Sequence, residues 1–350
     1  MTGAAKVGEL VRERRMSAGL TQRELADAAG VSIGTVRDLE QGRTRCPRWA
    51  TVAAVAAALG MDQCQHAELA NIWHGGHPDA GTGYVAAETG ARANGVSMRI
   101  GALGPLTVLR DGSAVWLGSP RQRAVLGLLA LHCSTGVPRD VIADVLWGER
   151  PPRSAAAEVQ GYVSRLRRIL DPPAPGPAPR GRAGAVVLAG CCYRLGGGMG
   201  LDLTEFGQLS RRADTACAQG EFRLACALYE RSLGLWRGEV LADVDLLQGY
   251  PAVDDAARRR GDVVLGFARA ATACRGHERV LPHLRALCVR EPFNEQAHAR
   301  LMTALAASGQ QAAAVQVFWQ LRRRLDRELG IRPGPQLAAA HLRILRQQTA

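Results

Sequence analysis

The chain lacks the features that mark membrane and secreted proteins. It contains no run of about 18 apolar residues and no apolar signal core behind its N-terminal charges. These absences argue against a membrane protein and predict a cytoplasmic location. The nine cysteines are odd in number and irregularly spaced, which indicates reduced thiols and argues against a disulfide framework.

Patterns that signal catalysis or metal binding are also missing. The sequence has no Walker loop and no arrangement of a nucleophile with a base and an orienting partner. Cys64, His66, His74 and His77 lie close together, but their spacing matches no zinc-ligand pattern. We therefore expect no enzymatic activity, no cofactor and no metal.

What the chain has in excess is positive charge. Its 350 residues include 44 Lys+Arg against 32 Asp+Glu, a net charge of +12. The excess peaks in residues 98–200, which carry 13 arginines and 6 carboxylates. Because a positive field concentrates polyanions, nucleic acid is a candidate partner. The length is sufficient for two or three domains, each with its own core.

Residues 1–60 are predicted to form a five-helix domain with a helix-turn-helix. Within TQRELADAAGVSIGTVRDLEQG, Thr21 and Glu24 have capping-box spacing, Gly30 is a helix stop and Ser32 is a second cap. Two short helices joined by a tight glycine turn are typical of this DNA-binding motif. The stretch resembles the Xre/phage-repressor family.

This first resemblance implies a set of DNA-contacting residues. Base-reading positions fall on Ser32, Ile33, Gly34, Thr35, Arg37 and Asp38, and phosphate-contacting positions on Arg43, Arg45 and Arg48. Gln22 is expected to cap the first helix of the pair against the backbone. Ile33 and Gly34 carry no hydrogen-bonding side chain, so direct readout falls mainly to Thr35 and Arg37. The alternative is a helical module kept only for dimerisation.

Residues 61–97 have the glycine-rich composition of a linker, and a new pattern begins at residue 98. Two short strands with an Asp111-Gly112 hairpin turn are followed by three helical stretches and a pair of apolar runs, AVVLAG and CCYRLGG. This order of elements is that of a winged helix, whose third helix enters the major groove of DNA.

The third helical stretch, SAAAEVQGYVSRLRRIL, combines an apolar stripe with a cationic face. The stripe has a period of 3.6 residues and contains Val159, Tyr162, Val163, Leu166, Ile169 and Leu170. Ser154 is the predicted N-cap, and Asp171-Pro172-Pro173 ends the helix. By itself, such a charged face is more typical of a solvated surface than of a binding surface, and the rest of the chain has to decide between the two.

Four phrases from residues 98–198, SPRQRAVLGLLAL, VLWGERPPRSA, YVSRLRRIL and YRLGGG, resemble the DNA-binding domain of the AfsR/SARP family, which has an OmpR-type winged-helix fold. The resemblance implies that Ser164, Arg165 and Arg167 face the groove or the phosphates, with Arg168 at the edge. The resemblance also implies that Arg121 and Arg123, in the first helix, contact the DNA backbone. Near the wing, the implied DNA contacts are Arg182 and Arg194. The wing has Ala189 where related response regulators often have arginine.

Residues 199–350 are predicted to be all helical and similar to tetratricopeptide repeats. Three helices follow Gly220, Gly276 and Gly309, and the last two glycines are 33 residues apart. The phrases LGLWRGEVLADV and REPFNEQAHARLMTALAASGQ resemble the bacterial transcriptional activation domain of the same family. Four aromatic residues are expected in the core: Trp236, Phe293, Phe318 and Trp319.

The two resemblances together imply a mainly α transcriptional activator. Such a protein binds direct repeats in double-stranded promoter DNA, as a homodimer on the DNA, and recruits RNA polymerase holoenzyme to an antibiotic or specialised-metabolite gene cluster of actinobacteria. Two alternatives remain. One is a repressor or autoregulator dominated by the N-terminal domain, and the other is a regulator whose helical domain senses a ligand.

Overall fold

The computed structural model describes residues 3–43, 49–61, 98–171 and 184–346. The chain divides into two compact units, of which the first comprises Met1–Arg99 and Val108–Met199, and the second comprises Ile100–Thr107 and Gly200–Ala350. Several predictions lie outside the described residues: the linker apart from Met61, the contacts Arg45, Arg48 and Arg182, and the group around Cys64.

The described part of residues 1–60 contains four helices, where five were predicted. They are α1 (Gly3–Ser17), α2 (Gln22–Ala29), α3 (Ile33–Glu40) and α4 (Trp49–Ala58). The capping box is confirmed, since Glu24 N donates to Thr21 Oγ1 and Thr21 N donates to Glu24 Oε2. Gly30 ends α2 with a left-handed φ of 64°. The helix-turn-helix arrangement of α2 and α3 is therefore confirmed.

A buried ion pair joins α1 to α3. Arg15 Nε lies 2.6 Å from Glu40 Oε1, and the two side chains are only 13% and 2% exposed. Gln22 Nε2 also donates to Glu40, at 2.7 Å. Burial opposes the charge of Glu40, but the hydrogen bonds from Arg15 and Gln22 outweigh it, and the pKa of the Glu40 carboxyl is lowered. This network holds the C-terminal end of α3 against α1 and α2.

The winged-helix segment contains strands on both sides of three helices. Its elements in order are β1 (Met98–Gly101), β2 (Thr107–Arg110), β3 (Ser113–Ala114), α5 (Pro120–Leu131), β4 (Val137–Pro138), α6 (Arg139–Trp147), α7 (Ala155–Leu170), β5 (Val186–Ala189) and β6 (Cys192–Leu195). Strands β2 and β3 pair antiparallel through the predicted turn, where Asp111 and Gly112 have φ of 50° and 82°. A second sheet has the order β4-β6-β5, and its β5–β6 hairpin pairs Val186 with Leu195.

Helix α7 has the predicted stripe and begins after the predicted N-cap residue, but that residue makes no side-chain capping bond. Five of the six stripe residues are buried, and the sixth, Ile169, is half-buried. The stripe packs against α5, α6 and β5. Ser154 precedes the helix with ψ near 0° and makes no capping bond. Ser154 therefore occupies the predicted N-cap position, but its side chain does not cap the helix, because its hydroxyl donates to Glu158 Oε1 at 2.8 Å.

The second unit is a series of helices that pack on one another in chain order. After β7 (Gly200–Leu201), the helices are α8 (Asp202–Ala218), α9 (Phe222–Leu233), α10 (Pro251–Ala273), α11 (His277–Arg290), α12 (Glu295–Ala307), α13 (Gln311–Arg324) and α14 (Pro335–Leu345). A 3-10 turn, Asp245–Leu247, and a π-helical turn, Leu325–Leu329, interrupt the series. No helix in the described part of the chain is long and apolar enough to cross a membrane.

A short segment near the start of the predicted winged-helix domain groups with the second unit. Residues Ile100–Thr107 lie there rather than with the rest of residues 98–198. The buried carboxylate of Asp202 accepts hydrogen bonds from Ala102 N and Leu103 N, and Asp243 accepts one from Leu106 N at 2.7 Å. These side-chain to backbone bonds span about 100 residues of sequence or more, so local patterns could not reveal them.

Of the four aromatic residues that were expected in the core of the second unit, only some are buried. Phe318 is buried and stacks on His341, with ring centroids 3.9 Å apart. Trp236 is half-buried against Phe206. Phe293 and Trp319 are exposed, at 37% and 41%. The prediction of core positions was therefore wrong for Phe293 and Trp319: Phe293 lies in the loop between α11 and α12, and Trp319 lies about 100° around α13 from the buried Phe318.

Candidate nucleic-acid interface

One face of α7 is exposed along most of the helix. Ser164 and Arg168 lie opposite the buried stripe, with Gly161 between them and the start of the helix. Arg165 flanks this face on one side and Arg167 on the other, and both are exposed. The exposed face therefore has Gly161, Ser164 and Arg168 along its middle and Arg165 and Arg167 on its two sides, so Arg168 lies along the middle of the face and not at its edge.

The two flanking arginines are held in place by different contacts. The Arg165 guanidinium lies over the Tyr162 ring, 4.9 Å from its centroid. Such a cation–π contact restricts the side chain while leaving its N–H groups available. Arg167 Nε donates to the carbonyl oxygen of Val186 in β5 at 2.8 Å. Arg167 therefore ties the hairpin to α7 in addition to contributing charge.

A third arginine fixes the far end of α7. Arg110, at the end of β2, donates through Nη2 to the carbonyl oxygen of Ile169. A cation at this position satisfies one of the free carbonyls of the last turn and interacts favourably with the helix dipole. The sequence reasoning missed Arg110, because nothing local connects β2 with the end of α7.

The hairpin offers one cation and an apolar edge in the described residues. Arg194 is exposed on β6, opposite Val187 of β5. Leu188 is 45% exposed, and Ala189 beside it is also exposed. The edge of the wing is therefore more apolar than in an arginine-tipped wing.

Further arginines precede α7 in the chain. Arg121 is exposed at the start of α5 with its guanidinium 5.6 Å from the centroid of the Trp147 ring, whereas Arg123 is half-buried. The loop before α7 adds Arg150 and Arg153, both exposed. Sequence reasoning missed this second pair, although the charge excess of the segment contained the signal.

The hydroxyl groups at the start of α3 are engaged in the N-cap of that helix. Ser32 Oγ accepts from Thr35 N at 3.1 Å, and the two side-chain oxygens are 2.8 Å apart. Ile33 is 42% exposed beside them, and Arg37 is exposed one turn later. The face thus offers an apolar contact and one guanidinium, with little free hydrogen-bonding capacity from its hydroxyls.

Arg43 and Gln22, the other two predicted site residues of the N-terminal domain that the structure describes, differ in their exposure and contacts. Arg43 is exposed after α3, as a phosphate contact requires. Gln22 does not cap α2, because Thr21 does, and its amide donates to the buried Glu40. The prediction of Gln22 as a helix cap was therefore wrong. Its side chain instead completes the network around the ion pair of Arg15 and Glu40.

Two families match separate parts of the chain. Residues 201–345 match the bacterial transcriptional activator domain, and residues 6–69 match a helix-turn-helix domain. The second match includes most of α1 and all of α2, α3 and α4.

Several relatives align with the larger part of the chain. Regulatory protein DnrI of Streptomyces peucetius is 36% identical over 260 residues, covering 71% of this chain and 92% of DnrI. Regulatory protein AfsR of Streptomyces coelicolor is 35% identical over 262 residues, which cover 73% of this chain but only 25% of AfsR.

A solved structure supports the same relationship. Mycobacterium tuberculosis EmbR, in complex with a low affinity phosphopeptide, aligns with a TM-score of 0.60 and 34% identity, covering 72% of this chain and 65% of the EmbR chain. With DnrI aligned over nearly its whole length, the chain belongs to the AfsR/SARP family of transcriptional regulators and carries an N-terminal helix-turn-helix domain in addition.

Proposed function

We propose that this protein activates transcription by binding promoter DNA through the exposed face of α7. The observation that carries the proposal is the division of α7 into a buried stripe and a face of Ser164, Arg165 and Arg168. An α-helix fits the major groove, where arginine forms bidentate hydrogen bonds with guanine and Ser reaches several base edges. Arg167 and Arg194 serve the flanking phosphates and the hairpin.

In this proposal, the N-terminal domain adds a second DNA contact. The exposed Arg43, together with the sequence positions Arg45 and Arg48, neutralises phosphates, and Arg37 supplies the guanidinium on the exposed face of α3. Arg121 and Arg123 add contacts to the DNA backbone beside the bases that α7 contacts. Gln22, Ser32 and Thr35 act indirectly, because their polar groups position α2 and α3.

The bound protein acts as a homodimer on direct repeats and recruits RNA polymerase holoenzyme to a specialised-metabolite gene cluster. The support for this level of detail is membership of the AfsR/SARP family. Run-off transcription with purified polymerase tests it. Added protein should increase transcript from a promoter carrying its selected site. A decrease would favour a repressor instead.

A ligand-sensing role for the second unit is a second candidate. A cavity of about 680 Å³ is lined by residues of α8 and α10 and by Phe222 and Tyr229 of α9. Small-molecule pockets commonly have this size. A set of cell metabolites screened by thermal shift tests this role, and Phe222→Ala supplies the control. A shift that persists in the variant would place the ligand elsewhere.

A further inference from the structure

Two cysteine thiols from different helices meet inside the second unit. Cys226 lies in α9, and Cys274 is the residue at which α10 ends. Their sulfur atoms are 3.5 Å apart, although 48 residues separate them in sequence. A disulfide has an S–S length of about 2.0 Å, so the sulfurs need to approach by roughly 1.5 Å.

The two thiols differ in access to solvent. Cys226 is fully buried, at 0% exposure. Cys274 is half-buried. A small oxidant can therefore reach Cys274, while Cys226 is shielded by the protein but adjacent to it. This is the arrangement of a thiol that reacts with peroxide beside a thiol that resolves the product to a disulfide.

The surroundings of Cys274 allow the small movement that bond formation requires. It stands at the end of α10, and the next residue, Arg275, has a positive φ of 57°. The turn Arg275-Gly276 then leads into α11. A residue at the end of a helix is less constrained than one held by hydrogen bonds on both sides.

A positive charge lies close to the pair. Arg279, in the first turn of α11, acts electrostatically on both sulfur atoms, and it forms an ion pair with Glu230 of α9. Burial raises the pKa of the inner thiol, Cys226, to about 12, which keeps that thiol protonated and leaves the half-buried Cys274 as the one that an oxidant meets first.

We propose that Cys226 and Cys274 are a redox modification site, which a hydroperoxide converts from two thiols to a disulfide between α9 and the end of α10. In the first step, the Cys274 thiolate attacks the peroxide O–O bond. This forms the sulfenic acid and releases an alkoxide, which takes up the proton lost by the thiol and leaves as the alcohol, or as water from hydrogen peroxide. In the second step, the Cys226 sulfur attacks the sulfenic sulfur and releases water. The thiols are oxidised and the peroxide is reduced.

This inference does not rest on the proposed function, since it needs only the fold of the second unit. The test treats the full chain with hydrogen peroxide, blocks remaining thiols with an alkylating agent and digests the protein with trypsin. Cys226 lies in the tryptic peptide 224–231, Cys274 in 270–275 and the neighbouring Cys217 in 213–223. Mass spectrometry therefore identifies which thiols have been joined.

We expect the cross-linked peptide pair 224–231 with 270–275, and its loss after treatment with dithiothreitol. Cys217→Ser should leave it unchanged, whereas Cys274→Ser should abolish it. Because the fold holds the sulfurs together, the cross-link should form at least about tenfold faster in the native protein than in urea.

Three results would overturn the proposal. One is recovery of both peptides as alkylated thiols at peroxide levels that oxidise the exposed Cys191. Another is cross-linking of Cys217 in place of either partner. The third is an equal rate in native and urea-unfolded protein, which would mean that the fold makes no contribution.

Discussion

Arg167 Nε and the carbonyl oxygen of Val186 are joined by a hydrogen bond of 2.8 Å. Through this bond, the helix proposed to enter the major groove also positions the hairpin beside it. Arg167, which is expected to contact DNA, therefore also holds the hairpin against α7 in the absence of DNA.

Arg167→Ala should loosen the hairpin as well as weaken DNA binding. Loss of one such hydrogen bond costs about 1 kcal/mol, which corresponds to roughly fivefold faster exchange of the β5 amides with deuterium. Arg168→Ala is the matched control, because it removes the same charge from the same helix but leaves the bond to Val186 in place. Equal exchange in the two variants would show that this bond does not hold the hairpin.

Gly161→Ala should separate stability from DNA binding. A methyl group there has as its nearest neighbour Arg165 Nη2, at 3.8 Å, so it fits the free protein. Alanine favours a helix over glycine by about 1 kcal/mol, and the melting temperature should rise. The same methyl would stand at the centre of the proposed DNA-contacting face and should reduce affinity several-fold. An affinity that stays the same or increases would mean that this part of α7 faces away from DNA.

Arg15→Met should destabilise the N-terminal domain by about 3 to 5 kcal/mol, because it leaves the buried Glu40 carboxylate without its partner. The double variant Arg15→Met/Glu40→Met should recover much of this loss, since no buried charge remains. Arg23→Met, at an exposed position of α2, is the surface control. Urea unfolding followed by circular dichroism measures all three. A single variant as stable as the control would rule out a structural role for the pair.

Deleting residues 1–96 should flatten the salt dependence of DNA binding without changing the preference among sites. Each neutralised phosphate contributes a slope of about 0.9 in log affinity against log salt, so Arg43, Arg45 and Arg48 together contribute on the order of 2.7. Titrations on the best site and on single-base variants measure both quantities. A reordered preference would assign sequence readout to the N-terminal domain.

Much of this architecture could be predicted because its signals are local. The α7 stripe, the Thr21 capping box and the Asp111-Gly112 turn each depend on residues within a few positions of one another. The details that could not be predicted depend on distant partners. Asp202 draws Ala102 into the second unit, and Arg167 meets Val186, through contacts that leave no periodic pattern in the sequence.

The candidate site shows the same division. The composition of the α7 face followed from helical periodicity, whereas the engagement of Gln22 with Glu40 depended on how α2 packs against α3. Arg165 lies three residues after Tyr162 on the same helix, so its contact with the Tyr162 ring is a local one that helical periodicity could have indicated.

The most direct measurement of the central claim is the affinity of an Arg165→Ala/Arg168→Ala variant for DNA. The DNA sequence is first selected from a random library by the full-length wild-type protein. The control is Arg211→Ala/Arg212→Ala, which removes two exposed arginines from α8 of the second unit. If α7 reads the DNA, the first variant should lose at least about tenfold in affinity for the selected sequence, because each good base contact discriminates by about 1 to 3 kcal/mol. It should keep its fold, and the control should bind nearly as well as the wild type. Equal affinity of the two variants for the selected sequence would contradict the account.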